Sequence, residues 1–221
     1  MKQIIQTGTK EIVQKTNCLH IKYIPYLNFK RATKLFNLFE ENIKYFESDN
    51  LIKVFVFNKW HNIPRKHVAF GDENITYTFS KVTVPAMPWP DFLFRLKSEI
   101  EELIKFKFNF ALVNRYQNGT DYMGEHRDNE PNLDPNSPIV SINLGENRSF
   151  VFRHKSLVRK NSKNKPISVS NITDCVELEL KHGSLLIMYP PTNHYWYHSL
   201  PRKKKLKGVR INITLRNILK Q

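Results

Sequence analysis

Apolar residues recur at helical spacing in two stretches of the chain. Between Phe29 and Phe46 they fall at Ala32, Leu35, Phe36, Leu38, Phe39 and Ile43, which predicts an amphipathic helix. Between Asp91 and Phe106 they fall at Phe92, Leu93, Leu96, Ile100, Leu103 and Ile104, with Pro88 and Pro90 just ahead as start signals. From Phe108 onward strands dominate, broken by turns at Gly119, Asn132–Ser137 and Ser156–Pro166. The clearest alternation is Gly208-Val209-Arg210-Ile211-Asn212-Ile213-Thr214-Leu215-Arg216, a half-buried strand with Arg210, Asn212, Thr214 and Arg216 on one face. Residues 1–20 are polar and predict a loosely packed N-terminal extension. Residues 21–221 hold no internal repeat and read as one domain, with helices first and strands after. The fold class is therefore α+β, mainly β.

Composition narrows the setting. A chain of 221 residues is long enough for one sizeable core. Lys+Arg 35 against Asp+Glu 20 gives a formal charge of +15, which favours a polyanionic partner. Two cysteines, Cys18 and Cys175, with no CxxC, fit neither a disulfide framework nor a zinc ribbon and agree with an intracellular setting. No apolar run reaches the roughly 18 residues a membrane helix needs. The first fifteen residues lack a signal-peptide core. No sliding-clamp-binding motif is evident near the N-terminus.

The chemistry concentrates at Gly124-Glu125-His126-Arg127-Asp128 and at His198. Residues two apart on a strand point to the same face, so His126 and Asp128 can aim at one ion. With a remote histidine they make the 2-His-1-carboxylate set that holds Fe(II) and leaves coordination positions open. His194 rivals His198 for the third position. The polar face of the Arg210–Arg216 strand is costly to bury unless it binds something, and a dicarboxylate suits two guanidinium forks. The plainer alternative is a solvent-facing strand side.

With these pieces in order, the chain resembles the AlkB family of Fe(II)/2-oxoglutarate dioxygenases, and most of all its eukaryotic branch acting on alkylated bases in duplex DNA. The matching segments are Pro64-Arg65-Lys66, Thr76 to Ser80, Phe108-Asn109-Phe110, Asn114-Arg115-Tyr116, Gly124 to Asp128, Phe150 to Lys155, His182 to Leu186, Tyr197 to Pro201, and Arg210 to Arg216. The resemblance implies a double-stranded β-helix, or jelly roll, with N-terminal bracing helices and a nucleotide-recognition lid at about residues 50–85. It assigns His126, Asp128 and His198 to iron, His198 being the histidine before Ser-Leu-Pro. It gives Asn114, Tyr116, Arg210, Thr214 and Arg216 to 2-oxoglutarate, and Tyr77, Phe79 and Glu130 to the base pocket. Three positions depart from the family pattern: Val209 stands where proline is common, Leu215 where phenylalanine is, and Asn129 where an acidic residue is.

The same resemblance implies oxidative demethylation of 1-methyladenine and 3-methylcytosine in DNA, with 2-oxoglutarate and O2 consumed and formaldehyde, succinate and CO2 released. Phe57 matches the apolar hairpin tip that fills the stack vacated by a flipped base. As residues alone, Phe55 and Phe57 would read as same-face core of a strand. Arg65 and Lys66 follow the hairpin as phosphate contacts. Arg202-Lys203-Lys204-Lys205-Leu206-Lys207 reads as a backbone-binding loop, a nuclear localisation patch or a solvated charge run. A monomer acting on duplex DNA is expected, nuclear in a eukaryotic cell and intracellular otherwise. RNA or single-stranded DNA as substrate, and a catalytically silent nucleic-acid-binding module, are the alternatives.

Overall fold

The computed structural model describes residues 2–5, 7, 11–56, 58–158 and 175–219. Phe57 and the basic positions Arg159, Lys160, Lys163 and Lys165 lie outside the described residues. The described strands, in chain order, are β1 (Lys2–Ile5), β2 (Ile12–Thr16), β3 (Leu19–Pro25), β4 (Lys53–Val56), β5 (Lys59–Asn62), β6 (Lys66–Gly71), β7 (Thr76–Phe79) and β8 (Val82–Pro85). They continue as β9 (Phe110–Tyr116), β10 (Met123–His126), β11 (Ile139–Gly145), β12 (Arg148–His154), β13 (Cys175–Leu180), β14 (Ser184–Met188), β15 (Trp196–Leu200) and β16 (Arg210–Arg216). The helices are α1 (Phe29–Asn42), α2 (Asp91–Ile104) and the short α3 (Lys155–Val158) and α4 (Thr192–Tyr195).

Two sheets face each other. The larger runs β2-β3-β14-β11-β16-β9-β6 and the smaller β1-β13-β12-β15-β10. The period-two alternation sorts the larger sheet into two faces. Ile211, Ile213 and Leu215 of β16 join Val140, Ile142 and Leu144 of β11 in a core closed by Leu35 and Phe39 of α1 and Leu93, Leu96 and Ile100 of α2. Each such side chain, fully buried, contributes about 1.5–3 kcal/mol. The opposite face meets the smaller sheet through Leu186 and Met188 against Phe152, Leu178 and Trp196. The two long helices thus brace one sheet, as expected, and the polar residues of β16 are directed into the space between the sheets.

Both helices form where their apolar stripes predict, although each stops earlier. Asn28 caps α1 by accepting from the Arg31 amide at 2.9 Å. Ile43 is already extended and ends that helix. Lys105 adopts a left-handed conformation at φ 57° and ends α2.

One expectation needs correction. The described residues among the first twenty are not a loose extension: β1 pairs in parallel with β13, β2 and β3 form a hairpin at the edge of the larger sheet, and Leu19 is buried. Strands therefore precede the first helix. The signal was weak because β1 and β2 are edge strands, held through backbone ladders that any side chain permits. The span 50–85, where the nucleotide-recognition lid is expected, is tied to the larger sheet at its middle. It holds two hairpins, β4–β5 and β7–β8, but β6 between them is the edge strand of the larger sheet. The hairpins lean on each other: the Phe55 amide donates to the Ser80 carbonyl at 3.3 Å, and the Lys81 ammonium sits 4.4 Å from the centre of the Phe55 ring.

Candidate active site

β10 and β15 pair antiparallel with His126 opposite His198, so two imidazoles project from adjacent strands into the space between the sheets. Their ring centres are 4.3 Å apart. The chain leaves β10 after His126, and Asp128 reaches the same point from the loop that follows rather than from the strand. Both imidazoles turn Nε2 toward its carboxylate, His126 at 3.7 Å and His198 at 3.9 Å. The three candidate donor atoms lie within 4.8 Å of one another.

Their protonation suits a cation. Burial lowers the His126 pKa, and the Nδ1 of that ring is paired with the Gly124 carbonyl at 2.9 Å. As a neutral ring donating from Nδ1, His126 has its Nε2 lone pair free for a metal. Burial, with His126 beside it, lowers His198 to about 3. Burial alone would raise the Asp128 carboxyl, yet the Arg216 guanidinium, donating to it at 3.0 Å, and the two imidazoles hold it well below the usual carboxylate range. Two neutral imidazoles and one carboxylate are the donor set for Fe(II), and the residues present fit that ion. The cluster contains His198 and not His194, which lies on the wall of an adjoining cavity.

A narrow cleft opens from the three donors toward Arg210. Asn114, Tyr116, Thr214 and Arg216, all expected there, line it together with Ser141 and Asn212. The floor is pre-positioned. Arg210 donates to Asn143 Oδ1 at 2.6 Å, Asn212 to Ser141 Oγ at 2.7 Å, and Thr214 Oγ1 to Asn212 Oδ1 at 3.1 Å. Arg210 is buried, no carboxylate lies within salt-bridge distance among the described residues, and its Nε has no hydrogen-bond partner. Burial lowers its pKa to about 10. A buried guanidinium without an anion is costly, and a carboxylate entering the cleft removes that cost.

A second cavity of about 360 Å³ shares Asp128 and Arg216 with the cleft. Glu130 lines it, as expected for a base pocket, along with Asp134, Asn193, His194 and the Pro190-Pro191 pair. Tyr77 and Phe79 do not line it. Tyr77 is sealed from solvent with its ring 5.1 Å from the Arg216 guanidinium, and Phe79 stacks on Tyr77 at 5.6 Å. Tyr77 therefore backs the wall that Arg216 presents, with Phe79 behind Tyr77.

The expected DNA contacts divide. Arg65 is turned inward and donates from Nε to Asn114 Oδ1 at 2.7 Å, which takes its head off the surface and toward the cleft. Lys66 is exposed. Arg202, Lys203, Lys204 and Lys205 are exposed on the loop between β15 and β16. That loop is docked, not free: the Lys203 amide donates to the Gly119 carbonyl at 2.7 Å and the Gly119 amide to Leu206 at 3.0 Å. Buried Arg148, which the sequence did not single out, ties the same region down by donating to the carbonyls of Asn118, Asp121 and Pro201.

Ser141, Asn143 and Asn193 were also missed. The first two carried a readable signal, because Val140-Ser141-Ile142-Asn143-Leu144 alternates as β16 does. Asn193 carried none, since its place depends on where the loop after β14 folds.

Comparison with known proteins agrees with this geometry. A family model described as the 2OG-Fe(II) oxygenase superfamily matches residues 53–216. The chain is 46% identical over 188 residues to the Mus musculus protein named DNA oxidative demethylase ALKBH2, covering 85% of this chain and 75% of that one. It is 43% identical over 201 residues to the Homo sapiens protein of the same name, covering 91% and 74%. A solved structure, that of OsALKBH1, superposes with a TM-score of 0.57 at 15% identity, covering 93% of this chain and 100% of that one. At that identity it speaks to the fold alone.

Proposed function

The chain belongs to the 2OG-Fe(II) oxygenase superfamily and, within it, to the family of the ALKBH2 proteins, and from this we propose that it is a DNA oxidative demethylase acting on N-alkylated bases, preferentially in duplex DNA. The observation that carries the reading is the shared wall. Asp128 and Arg216 border both the cleft built for a dicarboxylate and a cavity whose volume falls within the roughly 300–1,000 Å³ of ligand sites. A base held in the larger cavity therefore lies beside the three donors.

In this mechanism His126, Asp128 and His198 hold the iron. When bound, Fe(II) with 2-oxoglutarate supplies the activation of O2 and the oxidising equivalents for hydroxylating an N-methyl group. The net change converts 2-oxoglutarate, O2 and the N-methyl base into succinate, CO2, formaldehyde and the unmethylated base. The protein's part is to position and shield. Arg210 grips the distal carboxylate, with Asn143 fixing the guanidinium. Arg216 keeps Asp128 ionised and oriented, and Tyr77 closes the space behind it. Glu130 lines the base cavity, so a base made cationic by alkylation would meet its carboxyl group there. Such a base pairs poorly, so flipping it costs less.

The net charge of +15 and the docked Arg202–Lys205 loop support binding through phosphates. A Cβ at Gly119 would lie 1.9 Å from the Lys203 carbonyl oxygen, so the loop must move in Gly119→Ala. We expect that variant to bind duplex more weakly, with a salt slope shallower by about one for each phosphate that the displaced loop no longer neutralises. Fluorescence anisotropy at several salt concentrations measures this. An unchanged slope would remove the loop from the DNA surface.

The test of the whole reading is oligonucleotide mass after incubation with Fe(II), ascorbate, 2-oxoglutarate and O2. A duplex carrying one 1-methyladenine, with its single strand in parallel, should lose one methylene mass, and the duplex faster. Loss from the single strand alone would move the substrate to single-stranded nucleic acid. No loss from either would overturn the demethylase reading.

A further inference from the structure

Arg148 opens β12 and is buried, yet it belongs neither to the donor cluster nor to the lining of the cleft or the cavity. Its guanidinium reaches two separate segments. Nη1 donates to the Asn118 carbonyl at 3.3 Å, and Nη2 donates to the carbonyls of Asp121 at 2.9 Å and Pro201 at 2.8 Å. Each of these carbonyls is close in sequence to a residue lining the co-substrate cleft. Asn118 stands two residues after Tyr116, Asp121 two before Met123, and Pro201 directly after Leu200. Tyr116 comes from the larger sheet, and Met123 and Leu200 pair with each other in the smaller. Pro201 also directly precedes the exposed cations Arg202–Lys205. One guanidinium therefore joins part of the cleft's lining to the loop proposed to meet phosphates.

The tie is unsaturated. All three acceptors are neutral carbonyls, which hold a cation less strongly than a carboxylate does, and Arg148 Nε has no hydrogen-bond partner. A loop docked by such bonds can open at modest cost, so ligands can bias it. Both ligands favour the docked arrangement. A co-substrate in the cleft packs against Tyr116, Met123 and Leu200 only while the segments that Arg148 grips are in place. DNA meets Arg202–Lys205 as one array only while the loop is seated on Gly119. Two ligands that prefer the same arrangement strengthen each other, and by the same factor in both directions.

We propose that Arg148 is a positioning residue that holds the co-substrate cleft and the Arg202–Lys205 loop in one arrangement, so that 2-oxoglutarate and duplex DNA each bind more tightly when the other is present. The inference rests on the demethylase reading above. Arg148 touches neither ligand and acts through the three carbonyls. Without 2-oxoglutarate, DNA affinity is that of the loop alone. The sign of the effect separates it from simple electrostatics: a bound dianion lowers the protein's net positive charge, which by itself would weaken DNA binding.

The test uses Fe(II)-loaded protein without O2, so that no turnover occurs, and an unmodified duplex at one salt concentration. Anisotropy gives the Kd for duplex with and without saturating 2-oxoglutarate. Calorimetry gives the Kd for 2-oxoglutarate with and without saturating duplex. In the wild type we expect 2-oxoglutarate to tighten duplex binding about fivefold, and duplex to tighten 2-oxoglutarate binding by the same factor. Arg148→Met should bring both ratios to about one, because the segments are then no longer tied to each other. A purely structural role would weaken both ligands and leave the ratios as they were, and that result would overturn the proposal. Gly119→Ala, which displaces the loop and leaves Arg148 in place, should also lose the coupling. If Arg148→Met does not fold, the other two proteins decide: a wild type without coupling, or Gly119→Ala with full coupling, refutes the inference. Wild-type protein that binds both ligands independently refutes this inference alone. Wild-type protein that binds neither refutes the demethylase reading, and this inference with it.

Discussion

His198→Ala is expected to lose dealkylation activity by at least about 100-fold while keeping its affinity for duplex DNA. Loss of a residue that merely supports a metal ligand costs about 10–100-fold, and loss of the ligand itself should exceed that. The structure explains why nothing nearby can substitute. His198 is fixed by its register with His126 across β10 and β15, and its ring stacks on Phe150 at 5.4 Å. His194 lies on the larger cavity's wall and is outside the donor cluster. DNA affinity should survive because the exposed cations at Arg202–Lys205 lie on a loop anchored through Gly119 and Arg148 rather than through the imidazole. Iron titration followed by calorimetry, with anisotropy on the same preparation, separates the two effects. A variant that binds Fe(II) as the wild type does and still converts 2-oxoglutarate would remove His198 from the ligand set.

The donor cluster was legible in the sequence because strand geometry supplies most of it. The 2-residue spacing of His126 and Asp128 brings both side chains to one side, even though Asp128 has left the strand. The remote histidine needs only a neighbouring strand, and β15 is that strand. The co-substrate cleft was legible for the same reason. Alternation on β16 assigns Arg210, Asn212, Thr214 and Arg216 to one face in any sheet that buries Ile211, Ile213 and Leu215. The matching alternation on β11 announced Ser141 and Asn143, which pair with Thr214 and Asn212 across the ladder.

What the sequence hid depends on tertiary placement. Arg65 follows a hairpin and precedes an exposed lysine, which suggests a phosphate contact. Its direction is set instead by β6 pairing with β9, which sets His67 opposite Asn114 and leaves the Arg65 guanidinium within reach of the Asn114 side chain. Tyr77 and Phe79 alternate on β7 as pocket residues should; Tyr77 is sealed from solvent with its ring 5.1 Å from the Arg216 guanidinium, and Phe79 stacks on it, a burial that alternation alone does not record. The cavity itself draws on the loop between β10 and β11, the segment after β14 and the end of β16. No local pattern records that convergence. The strands before residue 20 were hidden for a related reason: β1 finds its partner, β13, more than a hundred residues along the chain.

Arg210→Met should uncouple stability from function, raising the first while removing the second. In the wild type a guanidinium is buried with Asn143 as its side-chain acceptor and its Nε unpaired. Replacing an incompletely paired buried charge by an apolar side chain of similar length is often neutral or stabilising, by as much as about 1–4 kcal/mol. Without 2-oxoglutarate the variant should therefore melt no lower than the wild type. The co-substrate reverses the comparison. Removing one partner of a buried charge pair costs about 2–5 kcal/mol of binding, which corresponds to roughly 30- to 3,000-fold in affinity at about 1.4 kcal/mol per tenfold. KM for 2-oxoglutarate should rise accordingly, and the thermal shift that 2-oxoglutarate gives the iron-loaded wild type should vanish. DNA binding should be unaffected, since Arg210 lies on the floor of the cleft, away from the cavity that borders it. A variant that keeps the co-substrate's thermal shift would place the dicarboxylate elsewhere. Arg65, whose guanidinium already reaches Asn114 at the same cleft, would then be the next cation to test.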